Sequence, residues 1–494
     1  MIVILARFKV RRKDLYLVSY YVEDYNVLLM TLDNYQAAME YIYSFADYSA
    51  ERSYRYSADV FELQRVRDLL SALGNPEERF KSFHIAGTKG KGSVSALIAS
   101  VLHQAGYRTG LYTSPHLIRF NERIRIDGID ISDEDLVLTL EHMKPHIEAI
   151  EGLTVYEIVT ALAFSYFADQ GVQYASIEVG LGGRLDATNV IQPMITVITS
   201  LSYDHMHLLG NRLSEIAGEK AGIIKAGVPV ILAPQQLEAV HVVTAEAEKH
   251  GSRLIQVGKD WLFAPGSRQT KGQSLYVWPA SEQELMDAYV DSAGEEEWTP
   301  PRYQIPLLGF HQVINAAVAY AALMEAKGLG LKLPAGAIRD GFMAAEWPGR
   351  FQILNGDPVI VVDAAHNRDS ALKLRLALDD YYPGQPVTLI FGASADKDIE
   401  GMLTELIPRV TRLIVTQADH PRAEDPERLA EIAHSHGIRV ETALPVPRAI
   451  SRAIQIARPG EVILICGSLF VVGEALQAWA EGNVQSVVRG EATE

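Results

Sequence analysis

Ile85-Ala86-Gly87-Thr88-Lys89-Gly90-Lys91-Gly92-Ser93 decides how this chain is read. An apolar strand over 80–86 enters a glycine-rich turn, and a helix over 94–104, closed by Gly106, leaves it. Such a turn aims backbone N–H groups and the positive end of a helix at one point, where phosphate oxygens are held, and Lys91 adds a full charge. The stretch departs from the general Walker loop: two residues instead of four separate Gly87 from Gly90-Lys91, and Gly92 stands before Ser93. A purely steric turn is the plainer alternative, but the flanking strand and helix favour a nucleotide triphosphate cradle. A further strand over 108–112 makes this the opening of a βαβ unit.

Outward from the loop, short apolar runs over 175–179, 195–199 and 228–233 alternate with helical stretches over 158–168 and 214–223, which predicts a mostly parallel sheet covered on both faces. Upstream, Tyr35, Met39, Ile42 and Phe45, then Val60, Leu63, Val66, Leu69 and Leu70, recur at helical spacing. They predict two helices around a Tyr/Ser-rich connector, stopped by Gly74-Asn75-Pro76. Residues 1–30 are tyrosine-rich and end at Met30, which suggests a loosely attached extension or an over-long gene start. Over 261–301 the alternation dissolves into Gly, Ser and Gln and an acidic run, Glu295-Glu296-Glu297, before Pro300-Pro301. The domain boundary is expected there, giving an ATP-binding domain over 31–300 and a second α/β domain over 301–494. The second series has strands over 359–362, 387–391, 412–415 and 462–466, with a helix over 369–379. The fold class is therefore α/β with two domains: an N-terminal phosphate-loop ATPase domain with a mostly parallel sheet and a smaller C-terminal Rossmann-like domain. Two regular α/β domains suit an enzyme with a cleft between them.

Among 494 residues, 45 Lys and Arg against 62 Asp and Glu give a net charge of −17. Binding of nucleic acid or of an anionic membrane by bulk charge is not expected, and any anionic ligand must be met locally. The single cysteine, Cys466, excludes an intramolecular disulfide and fits a reducing compartment. No apolar run approaches the roughly 20 residues of a membrane span. The first residues are too short an apolar run for a signal peptide. A cytoplasmic monomer is expected.

Gly87-Thr88-Lys89-Gly90-Lys91-Gly92-Ser93 resembles the phosphate loop of the Mur ligase superfamily, and further blocks narrow the resemblance to its folylpolyglutamate synthase and dihydrofolate synthase branch. These are Leu111-Tyr112-Thr113-Ser114-Pro115-His116, Arg119-Phe120-Asn121-Glu122-Arg123-Ile124, the run from Glu178 to Asn189, Asp204-His205, and Lys220-Ala221-Gly222-Ile223-Ile224-Lys225. Gly309-Phe310-His311-Gln312 to Asn315-Ala316-Ala317, Trp347-Pro348-Gly349-Arg350 and Asp363-Ala364-Ala365-His366-Asn367 complete the series. The chain departs from that branch in Lys89, where Asn is usual, and Ala364, where Gly is usual. The extension before Met30 and the long segment over 261–300 are further departures.

The resemblance implies a site. Magnesium prefers hard oxygen ligands and keeps waters beside one or two protein groups and the phosphates. By resemblance Ser114, Glu178 and His205 hold it, with Ser93 beside the nucleotide phosphates. Taken alone, Glu178 reads as a solvated strand end and His205 as a satisfied polar residue. Lys220 reads as a surface lysine, or, by resemblance, as a carbamylated one that contributes an anionic oxygen to the metal site. Lys91, His205 and Lys220 are the implied catalytic groups. ATP contacts are implied for Thr88, Lys89, Gly90, Lys91, Gly92, Ser93, Asn315, Arg350, Asp363 and His366. An Asn amide can read a base edge, an Arg can fork onto phosphate, Asp363 can accept ribose hydroxyls and His366 can donate to a phosphate. Arg350 as a loop ion-pair partner and Asp363 as a helix N-cap stand as alternatives. On the pterin side the resemblance points to Thr154, Tyr156, Glu157, Leu185, Asp186 and Ala187. Tyr156 either stacks on a pterin or benzoyl ring or faces the core, and Glu157 or Asp186 can accept from pterin N–H groups. Asp396-Lys397-Asp398 reads equally as part of a glutamate site and as a capped turn.

The implied activity is ATP-dependent addition of L-glutamate to dihydropteroate, to reduced folates, or to both, with ATP and Mg2+ required. Two rivals stand beside it: a Mur-type ligase acting on a cell-wall precursor, and a non-catalytic nucleotide-binding protein.

Overall fold

The computed structural model describes Leu32 and residues 34–46, 63–295, 297–354 and 356–482; the expectation placed on residues 1–30 lies outside the described residues. Strand Lys81–Ala86 shows how the first sheet is built. Its side chains alternate, so Phe83 and Ile85 enter one core while His84 enters the opposite layer, and every residue after Lys81 is buried. It pairs in parallel with Tyr174–Glu178 on one side and Ile195–Ile198 on the other, and Ile85 lies opposite both Glu178 and Val197. The full order is Ile129–Asp130, Ile124–Ile126, Thr109–Tyr112, Tyr174–Glu178, Lys81–Ala86, Ile195–Ile198, Val230–Leu232 and Leu254–Gln256. The first two strands form an antiparallel edge and the remaining six run parallel. Loops leaving the central strands thus emerge along one edge, where α/β folds bind ligands.

Helix Val155–Asp169 is apolar nearly all round and buries Ile158, Leu162, Phe164 and Phe167 against one face of this sheet. Helices Lys91–Gln104, Phe310–Gly328 and Ala337–Ala344 cover the other. In Phe310–Gly328 a run of buried alanines lets the backbone lie close to Phe83, Ile85 and Val197.

The segment over 261–301 differs from its expected reading. Strands Trp261–Gln269, Gly272–Pro279 and Arg302–Ile305 form a three-stranded antiparallel sheet, with helix Gln283–Asp291 between the last two. Leu275, Val277 and Ile305 join the core of Phe83 and Val313. The first unit's core therefore runs on past residue 300 to Phe342 and Ala345, and the second core gathers around Leu308, Phe351 and Val361. The physical reason is that Trp261–Gln269 lies half exposed, so its sequence lacks the apolar alternation that marks a covered strand. Leu275→Ala is accordingly expected to cost about 2–5 kcal/mol, as a core truncation does, whereas a linker residue would cost under about 0.5 kcal/mol. Chemical denaturation of the two proteins measures the difference.

The second sheet has the order Gln352–Leu354, Val359–Val362, Val462–Cys466, Val387–Phe391, Val410–Val415 and Val440–Thr442, parallel except for its first pair. Helix Arg368–Tyr381 packs on it through Ala371, Leu374, Ala377 and Leu378 and is capped by Asn367, which accepts from Ser370 N at 3.0 Å. Among the described residues no helix is long and apolar enough to cross a membrane.

Candidate active site

The glycine-rich turn is anchored to the next strand's loop. Thr88 N and Lys89 N both donate to the Ser200 carbonyl at 3.0 Å, and Thr88 Oγ1 donates to the Ser202 carbonyl at 3.2 Å. Gly90 caps helix Lys91–Gln104 at a φ of +90°, and a Cβ there would strike the Asn315 amide. Only glycine therefore lets the loop turn and lie against the second covering helix. Asn315 is buried on that helix, and its amide is fixed by donation to Gln312 Oε1 at 2.9 Å. The structure thus seats Asn315 beside the phosphate loop. Ser93 is buried in the first helical turn, and Trp347 lies against Gly92.

Glu178 ends the neighbouring strand and is 5% exposed. Its Oε2 accepts from Ser114 N at 3.3 Å, and its Oε1 stands 3.8 Å from Lys91 Nζ. Burial pushes the carboxyl up to about 7, against the pull of Lys91, Ser114 N and Arg350. Lys220 is equally buried, on helix Leu213–Ala221. Burial and the nearby Lys91 charge push its ammonium down to about 7, although Asp204 and Asp186 oppose the shift. The loop over 180–189 reaches this helix because Gly183 packs on Glu219 O and the Lys220 backbone, where a Cβ would meet Glu219 O at 2.8 Å. Arg184 N then donates to Glu219 O at 2.8 Å. His205 opens the short helix Met206–Leu209 in a left-handed conformation, φ +48°, directly after Asp204.

Asp204 joins several parts of the site. Its Oδ2 accepts from Lys89 Nζ at 2.9 Å and from Asn367 Nδ2 at 2.9 Å, and its Oδ1 accepts from His205 N at 3.0 Å. Burial works against its charge, but Lys89, His205 and His366 together hold it well below the usual carboxylate range. Neither the Lys89 pairing nor Asn367 was singled out from sequence. Asn367 followed by Ser370 was legible only as a helix cap.

On the second domain's side, Arg350 donates at 3.4 Å to the Gly349 carbonyl, and Glu178 and Asp363 are its charge neighbours. Its reading as a loop ion-pair partner finds no carboxylate within ion-pair distance among the described residues. Asp363 is buried and accepts from Phe351 N at 2.7 Å and Ala365 N at 2.8 Å. The following helix is capped by Asn367, so the N-cap alternative for Asp363 fails. His366 Nδ1 donates to the Ala364 carbonyl at 2.8 Å, and its protonated form is disfavoured by burial and by Lys89. A neutral ring so tied presents Nε2 as an acceptor, which departs from the expectation of donation to phosphate.

On the pterin side the structure separates the expected residues. Thr154 and Glu157 form a capping box on helix Val155–Asp169: Thr154 N donates to Glu157 Oε2 at 2.7 Å and Glu157 N to Thr154 Oγ1 at 3.3 Å. Arg65 adds an ion pair to Glu157 at 3.3 Å. Asp186 pins its own loop, accepting from Leu181 N at 2.9 Å and from Thr188 N at 3.0 Å, with Ala187 buried and Leu185 half-buried beside it. Tyr156 tilts against Tyr112, ring centroids 6.2 Å apart. Its buried hydroxyl lacks a partner of ordinary geometry, with Asp186, Ser114 and Glu178 as polar neighbours. Asp398 caps helix Ile399–Leu406 through Gly401 N at 2.9 Å, while Lys397 pairs with Asp396 at 3.1 Å.

These residues fit a divalent cation and a nucleotide. Among the described residues no three His, Cys, Asp or Glu side chains assemble into a metal site. A cation beside Glu178 would therefore draw chiefly on oxygens of hydroxyls, phosphate, water or a carbamate, with at most one further His, Cys, Asp or Glu side chain, the ligand set of magnesium and not of zinc. A desolvated carboxyl whose nearest cation is beyond hydrogen-bond reach is suited to such an ion.

Comparison with known proteins gives a consistent result. The Mur ligase middle domain matches residues 85–323, and the Mur ligase glutamate ligase domain matches residues 349–469. A dihydrofolate synthase/folylpolyglutamate synthase of Bacillus subtilis is 36% identical over 423 residues, covering 83% of this chain and 93% of that protein. The structure of Escherichia coli FolC in complex with DHPP and ADP superposes with a TM-score of 0.78 at 28% identity, over 92% of this chain and all of that one. A bifunctional folylpolyglutamate synthase/dihydrofolate synthase from Yersinia pestis, complexed with AMPPNP and Mn ion, gives 0.75 at 28% identity, over 92% and 100% of the two chains.

Proposed function

The chain belongs to the folylpolyglutamate and dihydrofolate synthase branch of the Mur ligases, and from that premise we propose how its own residues divide the work of the reaction. The protein is an ATP-dependent ligase that joins L-glutamate to dihydropteroate, to the γ-carboxylate of reduced folates, or to both, through an acyl phosphate. A free carboxylate resists amide formation because its oxygen is a poor leaving group. Transfer of the γ-phosphoryl of ATP makes that oxygen a phosphate, and the glutamate amine then displaces it.

Lys91, together with the N–H groups of Gly90 to Ser93, holds the β- and γ-phosphates, while Thr88 and Lys89, whose N–H groups bond the Ser200 carbonyl, set the course of the loop; Arg350 neutralises charge from the opposite wall. Asn315 steadies the loop, and Asp363 accepts the ribose while keeping Phe351 and Ala365 in place. His366 contributes its Nε2 lone pair near Asp204. Glu178, Ser114, Ser93, His205 and a carbamylated Lys220 would hold magnesium, which, when bound, disperses charge on the transferred phosphoryl group. Tyr156 offers the pterin side a ring face and a hydroxyl in want of a partner, and Leu185, Asp186 and Ala187 shape the adjoining wall. Thr154 and Glu157 act one step back, by fixing the helix that carries Tyr156. The observation that carries this reading is the convergence of Lys91, Glu178 and Ser114 N at the ends of adjacent strands, with Arg350 of the second domain facing them.

The net charge of −17 speaks against nucleic acid as a partner, and the single cysteine fits a reducing, cytoplasmic setting. Product analysis with each pterin offered separately, at saturating ATP, magnesium and glutamate, tests substrate scope. Glutamate-dependent ADP is expected with dihydropteroate and with tetrahydrofolate. ADP with tetrahydrofolate alone would leave only tail extension.

A further inference from the structure

Helix Arg368–Tyr381 belongs to the second domain but is tied to the first at both ends. At its C-terminal end Tyr381 Oη donates to Gln273 Oε1 at 2.9 Å, and Gln273 Nε2 donates to the carbonyls of Leu307 and Gly309 at 2.7 and 2.8 Å. Arg268 pairs with Asp380 beside them. Tyr381 also packs on Phe351, ring centroids 5.5 Å apart, close to where the chain enters the second domain. Gln273 is 2% exposed and Phe351 1%, so this end is a buried, multiply bonded joint. At the other end, about 20 Å away for a helix of 14 residues, the hydrogen bond to the first domain among the described residues runs from Asn367 Nδ2 to Asp204 Oδ2. That same oxygen accepts from Lys89 of the phosphate loop.

The geometry points to a pivot and a latch: we propose that the second domain swings about the Tyr381–Gln273 joint, and that Asn367 latches it shut by bonding Asp204, so that closure and the placement of Lys89 in the phosphate loop are coupled. The asymmetry of the two ends carries this. The pivot has buried, redundant bonds near the chain crossing; the latch, among the described residues, rests on the Asn367–Asp204 hydrogen bond, at the end of the lever nearest the nucleotide loop. Asn367 is thus a positioning residue, acting through Asp204 and not on substrate. Lys89, where relatives of this branch usually carry Asn, supplies the charge that keeps the Asp204 carboxylate facing Asn367. The proposal rests on the ligase reading only for the identity of the ligand that favours closure.

Asn367 also caps its helix through Oδ1, so the test must keep the cap. Asn367→Asp and Asn367→Ser both retain a capping oxygen and remove the Nδ2 donor. Small-angle scattering of the wild type, titrated with a non-hydrolysable ATP analogue and magnesium in the absence of folate and glutamate, should show compaction. Both variants should need about tenfold more analogue for the same compaction, the value of one charge-assisted hydrogen bond at its lower end. In turnover they should raise KM for ATP by a similar factor and leave kcat within about twofold. The exchange Asp204→Asn with Asn367→Asp returns an amide–carboxylate pair and keeps a carboxylate near Lys89, so it should recover most of the compaction. Unchanged analogue requirement in both single variants, no compaction of the wild type, or an exchange variant no better than Asn367→Asp would each overturn the latch. Because scattering reads closure without ligation, absence of ligase activity would count against the assigned reaction and not against the latch.

Discussion

Lys91→Ala is expected to lower ligase turnover by about a thousandfold or more while leaving the unfolding transition within about 0.5 kcal/mol of wild type. Lys91 opens helix Lys91–Gln104 at its first position and contributes nothing apolar to the cores. Its ammonium reaches toward Glu178, 3.8 Å away, across a gap in which charge is to be placed. In phosphoryl transfer the protein supplies position and charge, so deleting one fixed cation at the phosphates removes a large share of the rate. Glu178, relieved of Lys91, would sit higher still in pKa, which adds to the loss. Paired measurement of turnover and of denaturation decides the matter. Parallel loss of both would mean that Lys91 holds the loop together and has no chemical role.

Lys220→Ala should cost at least about a hundredfold in turnover, with part of the loss, about tenfold, regained in acetate or formate at tens of millimolar. A buried ammonium lowered to about 7 is about half free amine at neutral pH. A free amine forms a carbamate with carbon dioxide: the N–C bond is made and a proton passes to solvent. The product replaces a cation with an anionic oxygen pair near Lys91 and Lys89, and reverses the local charge that otherwise repels a divalent cation. Asp186 and Asp204 are near enough to be felt but form no ion pair with Lys220, so the lysine is not serving as their partner. Lys220→Met, which keeps the apolar stem, should be as inactive as alanine and unresponsive to acetate because the space stays filled. Full activity in the unsupplemented alanine variant would remove Lys220 from the metal site.

The central parallel strands were legible because covered strands announce themselves as unbroken apolar runs: the expected spans over 80–86, 195–199, 359–362, 387–391 and 462–466 lie within a residue of the observed ones, whereas the half-exposed edge strands Leu254–Gln256 and Val440–Thr442 were not expected. The three-stranded sheet was hidden because its outer strand faces solvent and the Gly-Ser-Gln content imitates a linker. Thr154-Val155-Tyr156-Glu157 carries the capping-box signature openly, and the helix start engages both the Thr154 and the Glu157 side chains. Asp363 shows the reverse: its strand-end position allowed a cap, and the fold gives the cap to Asn367. The pairing of Asp204 with Asn367 joins residues 163 apart in sequence, and nothing local in either segment encodes it. The tautomer of His366 is equally a property of the fold, set by one carbonyl two residues earlier.

Oxygen transfer from substrate to phosphate is the most direct measurement of the chemistry. Dihydropteroate or tetrahydrofolate carrying 18O in the reacting carboxylate is turned over with ATP, magnesium and L-glutamate, and the released phosphate is analysed by mass spectrometry. An acyl phosphate requires one labelled oxygen in the inorganic phosphate for each amide formed, since the carboxylate oxygen that attacks the γ-phosphorus leaves with it. Amide formation with unlabelled phosphate would mean that ATP is hydrolysed without activating the carboxylate, and would contradict the roles given to Lys91, Glu178 and Arg350.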